Sequence, residues 1–292
     1  MSELRFFFWN LQDRNEKTIG PAFKQLLSQN EVDILLLGET KVADAFIKKY
    51  SDLKLVHKVA KYIPGRKRPK YLKIYATQKN FTLTASGGGT NGELLSCVLE
   101  INNNNYMVFG AHLPSRVSAN NSDLRRTNAK KCRTLIEEEE QLQARLLGKK
   151  VVGSIVFGDF NMNPFEKGFS DQEALFAIDL IVAPQRKLKD VDYFINPMFS
   201  LMGHYNYTSK NKSMPPGTYY YSGKNMGDPN DFFWNTIDGM IFRPSLKREY
   251  HDGEKIEIVD SIGPYPLFDH SKMKIDSKNY SDHLPIKFSF KF

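Results

Sequence analysis

VVGSIVFGDFNMNP, residues 151–164, is an apolar run that stops abruptly at Gly158-Asp159-Phe160-Asn161. Val151, Val152, Ile155, Val156 and Phe157 have the continuous β-branched and aromatic character of a strand buried on both faces. Asp159 and Asn161 stand at i, i+2, a spacing that sends both side chains off one face of an extended strand end. A carboxylate and a carboxamide aimed together are costly in a core and useful in a polar pocket. Gly158 admits either a turn or the close approach of a ligand. These residue types are also turn formers, so the segment alone supports a strand-end turn and half of a reactive site equally.

Outward from this stretch, strand-like runs recur at residues 5–11, 32–38, 53–60, 71–77, 81–86, 94–101, 106–113, 236–242, 255–262 and 286–292. The last alternates, with Ile286, Phe288, Phe290 and Phe292 on one face and Lys287, Ser289 and Lys291 on the other. Helical periodicity covers residues 18–28, with Phe23, Leu26 and Leu27, and residues 124–147, with Cys132, Leu135, Ile136, Leu142 and Leu146. Inside the longer helix Glu137, Glu138, Glu139 and Glu140 read as a solvated face rather than a metal cluster. A weaker helix is expected over residues 171–182. Residues 196–235, rich in proline and glycine, form a loop longer than a connector needs, which suits a functional role. No fixed-period repeat or flexible linker divides the chain, so one domain over residues 1–292 is expected, strands dominating and helices covering their outer faces.

Composition narrows the class. The 292 residues are 41% hydrophobic and carry a net charge of +8, ordinary for a globular protein with a sizeable core. The longest apolar runs, Phe6-Phe7-Phe8-Trp9 and Ile34-Leu35-Leu36-Leu37, are too short to span a bilayer. The first residues lack the pattern of a secretory signal, and Cys97 and Cys132 are too few for a disulfide scaffold or a zinc cluster. A cytoplasmic protein is expected. The positive charge is concentrated: residues 53–92 hold no Asp or Glu, while Lys54, Lys58, Lys61, Arg66, Lys67, Arg68, Lys70, Lys73 and Lys79 alternate with Tyr62, Tyr71 and Tyr75. Such a segment suits a polyanion, with rings available for stacking, although a solubilising face is the plainer alternative.

Other apolar strands end as the first one does. Phe8-Trp9 runs into Asn10; Leu36-Leu37-Gly38 into Glu39, Thr40 and Lys41; Phe109-Gly110-Ala111 into His112-Leu113-Pro114-Ser115. Asp238 interrupts an apolar strand, and Ser281-Asp282-His283-Leu284-Pro285 opens the last one. Singly, each has a bland reading as a turn, cap or core residue. Together they are the inventory for metal-assisted phosphoester hydrolysis.

In order and wording these segments resemble the endonuclease/exonuclease/phosphatase superfamily, which includes exonuclease III, DNase I and neutral sphingomyelinases. The resemblance rests on Trp9-Asn10, Gly38-Glu39-Thr40-Lys41, Ala111-His112-Leu113-Pro114, Gly158-Asp159-Phe160-Asn161, Ile237-Asp238 and Ser281-Asp282-His283-Leu284-Pro285, and spans essentially the whole chain. It implies a DNase I-like, four-layer α/β sandwich: two packed mixed sheets flanked by helices. It also implies roles. Glu39 becomes the principal ligand of Mg²⁺, with Mn²⁺ as a substitute, helped by Asn10 and Asp282. His283 becomes the general base or the phosphate-side acid, oriented by Asp238. Asp159 positions or deprotonates the attacking water, Asn161 hydrogen-bonds the phosphate, and His112 donates to a non-bridging or leaving oxygen. Apart from the resemblance, positive charge makes Arg66, Lys67 and Arg68 of the acid-free stretch, and Arg116, the expected substrate contacts.

Departures from the pattern select among branches. Abasic-site endonucleases carry Tyr where His112 stands, so the chain is more similar to the DNase I and sphingomyelinase side. Phe160, Met162 and Asn163 depart from the inositol polyphosphate phosphatases, which usually read Gly-Asp-Leu-Asn followed by Tyr-Arg. The segments Asn196-Pro197-Met198 and Gly217-Thr218-Tyr219-Tyr220-Tyr221, leading into Trp234-Asn235, resemble bacterial members. The leading expectation is a Mg²⁺-dependent nuclease or phosphodiesterase acting on DNA or RNA, since phosphate contacts dominate nucleic-acid affinity. A phosphoesterase for a lipid or small phosphoester is the second reading, and a catalytically silent nucleic-acid-binding module the third.

Overall fold

Strand β1 (Glu3–Asn10) is buried along nearly its whole length because it lies at the centre of one sheet and inside the sandwich. The computed structural model describes residues 2–29, 31–62, 65, 69–88, 92–115, 122–179, 192–202, 215–220 and 234–292. The strands that follow are β2 (Ile34–Gly38), β3 (Lys54–Lys61), β4 (Lys70–Ala76), β5 (Thr82–Gly88), β6 (Leu94–Ile101), β7 (Asn104–His112), β8 (Val151–Asp159), β9 (Ala177–Asp179), β10 (Phe194–Asn196), β11 (Asp238–Phe242), β12 (Glu257–Ile258) and β13 (Ile286–Lys291). One six-stranded sheet has the order β12-β13-β1-β2-β4-β3, and one seven-stranded sheet the order β5-β6-β7-β8-β11-β10-β9.

Each sheet contains a parallel central pair, β1 with β2 and β7 with β8, flanked by antiparallel neighbours. The inner faces meet through edge-to-face aromatic packing: Phe6 lies 5.7 Å from Phe157, and Phe157 lies 5.6 Å from Phe288. Helices α1 (Glu16–Ser28) and α2 (Asp44–Tyr50) cover the first sheet, with Phe23 of α1 stacked on Phe46 of α2 and tilted against Trp9 of β1. The long α3 (Ser122–Leu147) lies on β6 and β8 of the second sheet. The result is the expected four-layer mixed α/β sandwich. Short α4 (Lys167–Ser170) and α5 (Lys247–Asp252) fill its margins. Among the described residues no helix is long and apolar enough to cross a membrane.

Several expectations need correction. Of the helix expected at residues 171–182, the described part, residues 171–179, is not helical: Asp171 caps a turn by accepting from the backbone N–H of Glu173, Phe176 adopts a positive φ of 48°, and Ala177–Asp179 pairs with β10 as a strand. The single strand expected at residues 255–262 is broken, because the Asp260 carbonyl accepts from Leu267 and Phe268 and turns the chain into a separate ribbon. Leu142 and Leu146 of α3 face outward, and the buried line is Ala129, Cys132, Ile136 and Gln143. The glutamates of α3 are not merely solvated. Glu140 receives Arg243 through two hydrogen bonds of 3.0 and 2.8 Å and the Ser154 hydroxyl at 2.5 Å, so it clamps the helix onto the sheet. Helix α2 escaped notice because seven residues are too few to display a helical period.

Gly158 is required for a reason other than ligand approach. Its φ is +144°, and a Cβ there would stand 2.0 Å from the carbonyl oxygen of Ala111 on β7. The two parallel strands close together only because that atom is missing. We therefore expect Gly158→Ala to lower stability by about 2 kcal/mol or more, read as a shifted urea midpoint; an unchanged midpoint would contradict this packing.

Candidate active site

Parallel strands end at the same level, and their antiparallel neighbours begin there. This places Asn10 at the end of β1, Glu39 just past β2, His112 at the end of β7 and Asp159 at the end of β8. Asp238 opens β11 directly opposite Asp159, and Asp159 is also in register with His112. Asp282 and His283 enter just before β13, whose Ile286 pairs with Phe8. The polar residues scattered along the sequence therefore meet at one edge of the sandwich. Glu39 and Asn161 hold positive φ values of 45° and 52°, strained for residues with a side chain, one step beyond the end of β2 and two beyond the end of β8.

The Asp159–Asn161 segment satisfies both readings of its sequence. It is a turn, since Asp159 Oδ1 accepts from the backbone N–H of Asn161 at 2.8 Å. It is also part of the cluster, since Asp159 Oδ2 accepts from Asn10 Nδ2 at 2.9 Å, across from the other sheet. Asn161 does not project beside Asp159 as an extended strand would require; its amide donates to the Leu113 carbonyl at 2.9 Å. His283 Nδ1 lies 2.9 Å from Asp238 Oδ2, with Asp238 fully buried. His112 Nε2 lies 3.2 Å from Glu39 Oε1 and 3.9 Å from Asp159 Oδ2. Asp282 accepts from Gln12 Nε2 at 2.7 Å through Oδ2.

Burial and charge pull these groups apart in protonation. Burial and the Asp238 charge push the Asp159 carboxyl up to about 6. Burial opposes the charge on His283, but Asp238 outweighs it through charge and hydrogen bonding and lifts the imidazole to about 10. Burial also works against ionised Glu39, yet the hydrogen bond and charge of His112 and the charge of Lys70 bring it down to about 2. Asp282 is raised, chiefly by burial. Such opposed shifts in one pocket are what acid–base chemistry can use.

Two groupings of donor atoms could receive a cation. Asp159, Asp238 and His283 each offer a ligand atom within 4.8 Å of the others, but the His283–Asp238 hydrogen bond occupies Nδ1 and suits an orienting pair. On the other side, Asp282 Oδ1 is buried with no hydrogen-bond partner among the described residues; His283 Nε2 stands 3.9 Å away. An orphaned carboxylate oxygen beside Glu39 and the Asn10 amide is a hard-oxygen donor set that fits a divalent cation such as Mg²⁺.

Sequence reasoning missed the residues that hold the cluster together. Thr218, fully buried, accepts from the backbone N–H of Asp238 at 3.1 Å through Oγ1, and its carbonyl accepts from Leu284 at 2.7 Å. It thus ties Asp238 to the segment bearing His283. Asn163 donates to Asn235 and accepts from the Thr236 backbone, tying the Asp159 loop to the segment that leads into β11. Ser281 donates to the Asn10 carbonyl at 2.6 Å, and the Tyr219 ring lies 4.8 Å from the His283 ring. The only available signal for these was the Gly217-Thr218-Tyr219 and Asn163-Pro164 wording. Arg66, Lys67, Arg68 and Arg116 lie outside the described residues. Of the basic stretch, Lys61, Lys70, Lys73 and Lys79 are ion-paired with Glu93, Glu39, Asp44 and Asp52, so this stretch is less freely cationic than its sequence suggests.

No protein-family model matches the chain, and no curated protein matches it. Solved structures do. The human Nocturnin catalytic domain with bound sulfate superposes with a TM-score of 0.57 at 17% identity, covering 99% of this chain and 94% of that one. D. rerio TDP2 complexed with single strand DNA product gives 0.53 at 14% identity, with both chains fully covered. An endonuclease/exonuclease/phosphatase family protein from Leptotrichia buccalis gives 0.54 at 11% identity, covering 99% of this chain and 100% of that one. The fold is therefore the endonuclease/exonuclease/phosphatase fold that the sequence motifs implied.

Asp238→Asn should remove the charge that holds the proton on His283, dropping its titration by more than about one unit in an imidazole NMR titration of metal-free protein. The raised pKa of His283 stabilises the fold fully below its ordinary value of 6.5, and that contribution is lost as pH rises through about 10. Denaturation curves should show wild type losing stability over this interval and Asp238→Asn losing less; parallel losses would contradict the pairing.

Proposed function

We propose that this chain hydrolyses phosphodiesters with the help of a divalent cation, Mg²⁺ or Mn²⁺, and that its substrate is a nucleic acid. The observation that carries the reading is the meeting, at one sandwich edge, of a His283–Asp238 pair with Asp159, Glu39 and the unsatisfied oxygen of Asp282. Glu39, Asp282 and Asn10 would hold the cation. Bound there, it would polarise the phosphoryl oxygens and offset the charge that builds on them.

The protein's own groups divide the proton work. Asp159, with a pKa of about 6, is ionised near neutral pH and basic enough to take a proton from the attacking water. The Asn10 amide holds its Oδ2 in place from the opposite sheet. His283, at about 10, enters the reaction as imidazolium. Asp238 engages its Nδ1–H, and its Nε2–H is left to donate to a phosphate oxygen. Between the two roles open for His283, the phosphate-side acid is the better supported. His112, beside Glu39 and Asp159, supplies a further donor to the developing charge, and the second amide N–H of Asn161 suits a phosphate oxygen.

The single-stranded DNA product bound by D. rerio TDP2 supports a nucleic-acid substrate for this fold, as does the acid-free segment of residues 53–92. The internal pairing of Lys61, Lys70, Lys73 and Lys79 favours the second reading, a smaller or lipid phosphoester. A panel of single- and double-stranded DNA, RNA, abasic DNA, sphingomyelin and inositol phosphates, each with Mg²⁺ or Mn²⁺, separates the two.

Glu39→Gln and Asp159→Asn should each cut metal-dependent cleavage by about 10²-fold or more with the circular dichroism unchanged; wild-type rates in either variant would remove the assignment. The kcat/KM profile should rise as Asp159 loses its proton, through about pH 6 or lower once a cation is bound, and fall as His283 loses its own through about pH 10. Neutralising Arg66, Lys67 and Arg68 together should flatten the salt dependence of nucleic-acid binding by roughly two to three charges' worth of slope. An unchanged slope would place the substrate elsewhere.

A further inference from the structure

Lys70 is the first residue of β4, and its ammonium pairs with Glu39 Oε2 while His112 takes Oε1. Ion pairs of surface lysines are usually worth little, but this one is not at the surface: the two side chains are only 14% and 12% exposed. Its approach is fixed by the fold, since the backbone N–H of Thr40 donates to Tyr71 and holds the start of β4 against the residue after Glu39. The other nearby lysines have different partners, Lys41 with Asp13 at 3.7 Å and Lys73 with Asp44 at 2.7 Å. Among the described residues Lys70 is thus the lysine the fold directs onto the carboxylate proposed to bind the cation.

We propose that Lys70 is a resident cation of this pocket, which neutralises Glu39 until a divalent cation displaces it. The proposal rests on the metal-binding reading of Glu39 given above. The pocket gathers Glu39, Asp159, Asp238 and Asp282 against two imidazoles, an arrangement that repels itself without added positive charge. Lys70 supplies one unit of that charge and occupies an oxygen that a metal needs. An arriving divalent cation brings two units, repels the ammonium and competes for the same carboxylate. Lys70 lies on a flexible stem and can swing away, whereas Glu39 keeps its contact with His112 through Oε1. The lysine therefore keeps the metal-free site folded and sets a threshold for metal binding.

The test is Mn²⁺ binding to the purified full chain, by calorimetry, together with melting curves in chelator and in Mn²⁺. Lys70→Met should bind Mn²⁺ about tenfold more tightly than wild type, melt lower in chelator, and gain more from Mn²⁺. Lys70→Arg should restore near-wild-type affinity, because it keeps the competing charge. Should Lys70→Met not fold, Lys70→Gln provides the same neutral substitution. Unchanged or weaker Mn²⁺ affinity in the folded neutral variant overturns the proposal. Glu39→Gln separates the two levels: if it loses Mn²⁺ while Lys70→Met binds as wild type, only the displacement idea fails; if Glu39→Gln binds Mn²⁺ as wild type does, the metal assignment at Glu39 fails and the displacement with it.

Discussion

Asp159 is the atom-scale junction on which the reactive edge depends. One of its oxygens closes its own turn onto Asn161, and the other accepts from Asn10 on the opposing sheet. Through its backbone it is in register with both His112 and Asp238. A carboxylate this buried is unfavourable unless hydrogen-bonded, and the bonds it finds come from different layers of the sandwich. Its placement therefore fixes how the two sheets meet at that end, and the remaining polar groups are arranged around it. The absent Cβ of Gly158 belongs to the same constraint, since it lets β7 approach β8 closely enough for that register.

The strands were legible in the sequence because most are continuous apolar runs ended by a polar residue, a pattern that burial on both faces imposes. Residues 94–101 were placed without error at either end. The candidate site was legible for a related reason: Asn10, Glu39, His112 and Asp159 each mark the place where an apolar run stops, and Asp238 the place where one starts. What hid was of another kind. Short elements such as α2 and β9 have no room for a period, and a positive φ at Phe176 has no signature in a bulky residue. Thr218 and Asn163 also hid, because their work is done by one hydroxyl and one amide bonded to backbone in distant segments. Glu140 was misread because its partner Arg243 is 103 positions away.

Charge shows the same limit. A run of basic residues in sequence is not a basic face in space: within residues 53–92 several lysines turn inward to meet acids from other segments. Counting like charges along a chain measures potential only when the counter-charges are also local. Here they come from the 39–44 loop and from Glu93, so the net charge of +8 is a statement about the whole molecule and not about one strip of it.

That inward pairing also explains how the pocket tolerates its own acids. Burial raises the pKa values of Asp159 and Asp282, and the charge of neighbouring carboxylates adds to it. Burial works against ionised Glu39 as well, but the hydrogen bond and charge of His112 and the charge of Lys70 hold its carboxyl down at about 2. The division follows from geometry: Glu39 lies past the end of β2, within reach of β4 and β7, whereas Asp159 faces Asp238 across a strand pair. One carboxyl is thereby left strongly acidic and the other raised to about 6, a difference that comes from position in the sheets and not from residue type.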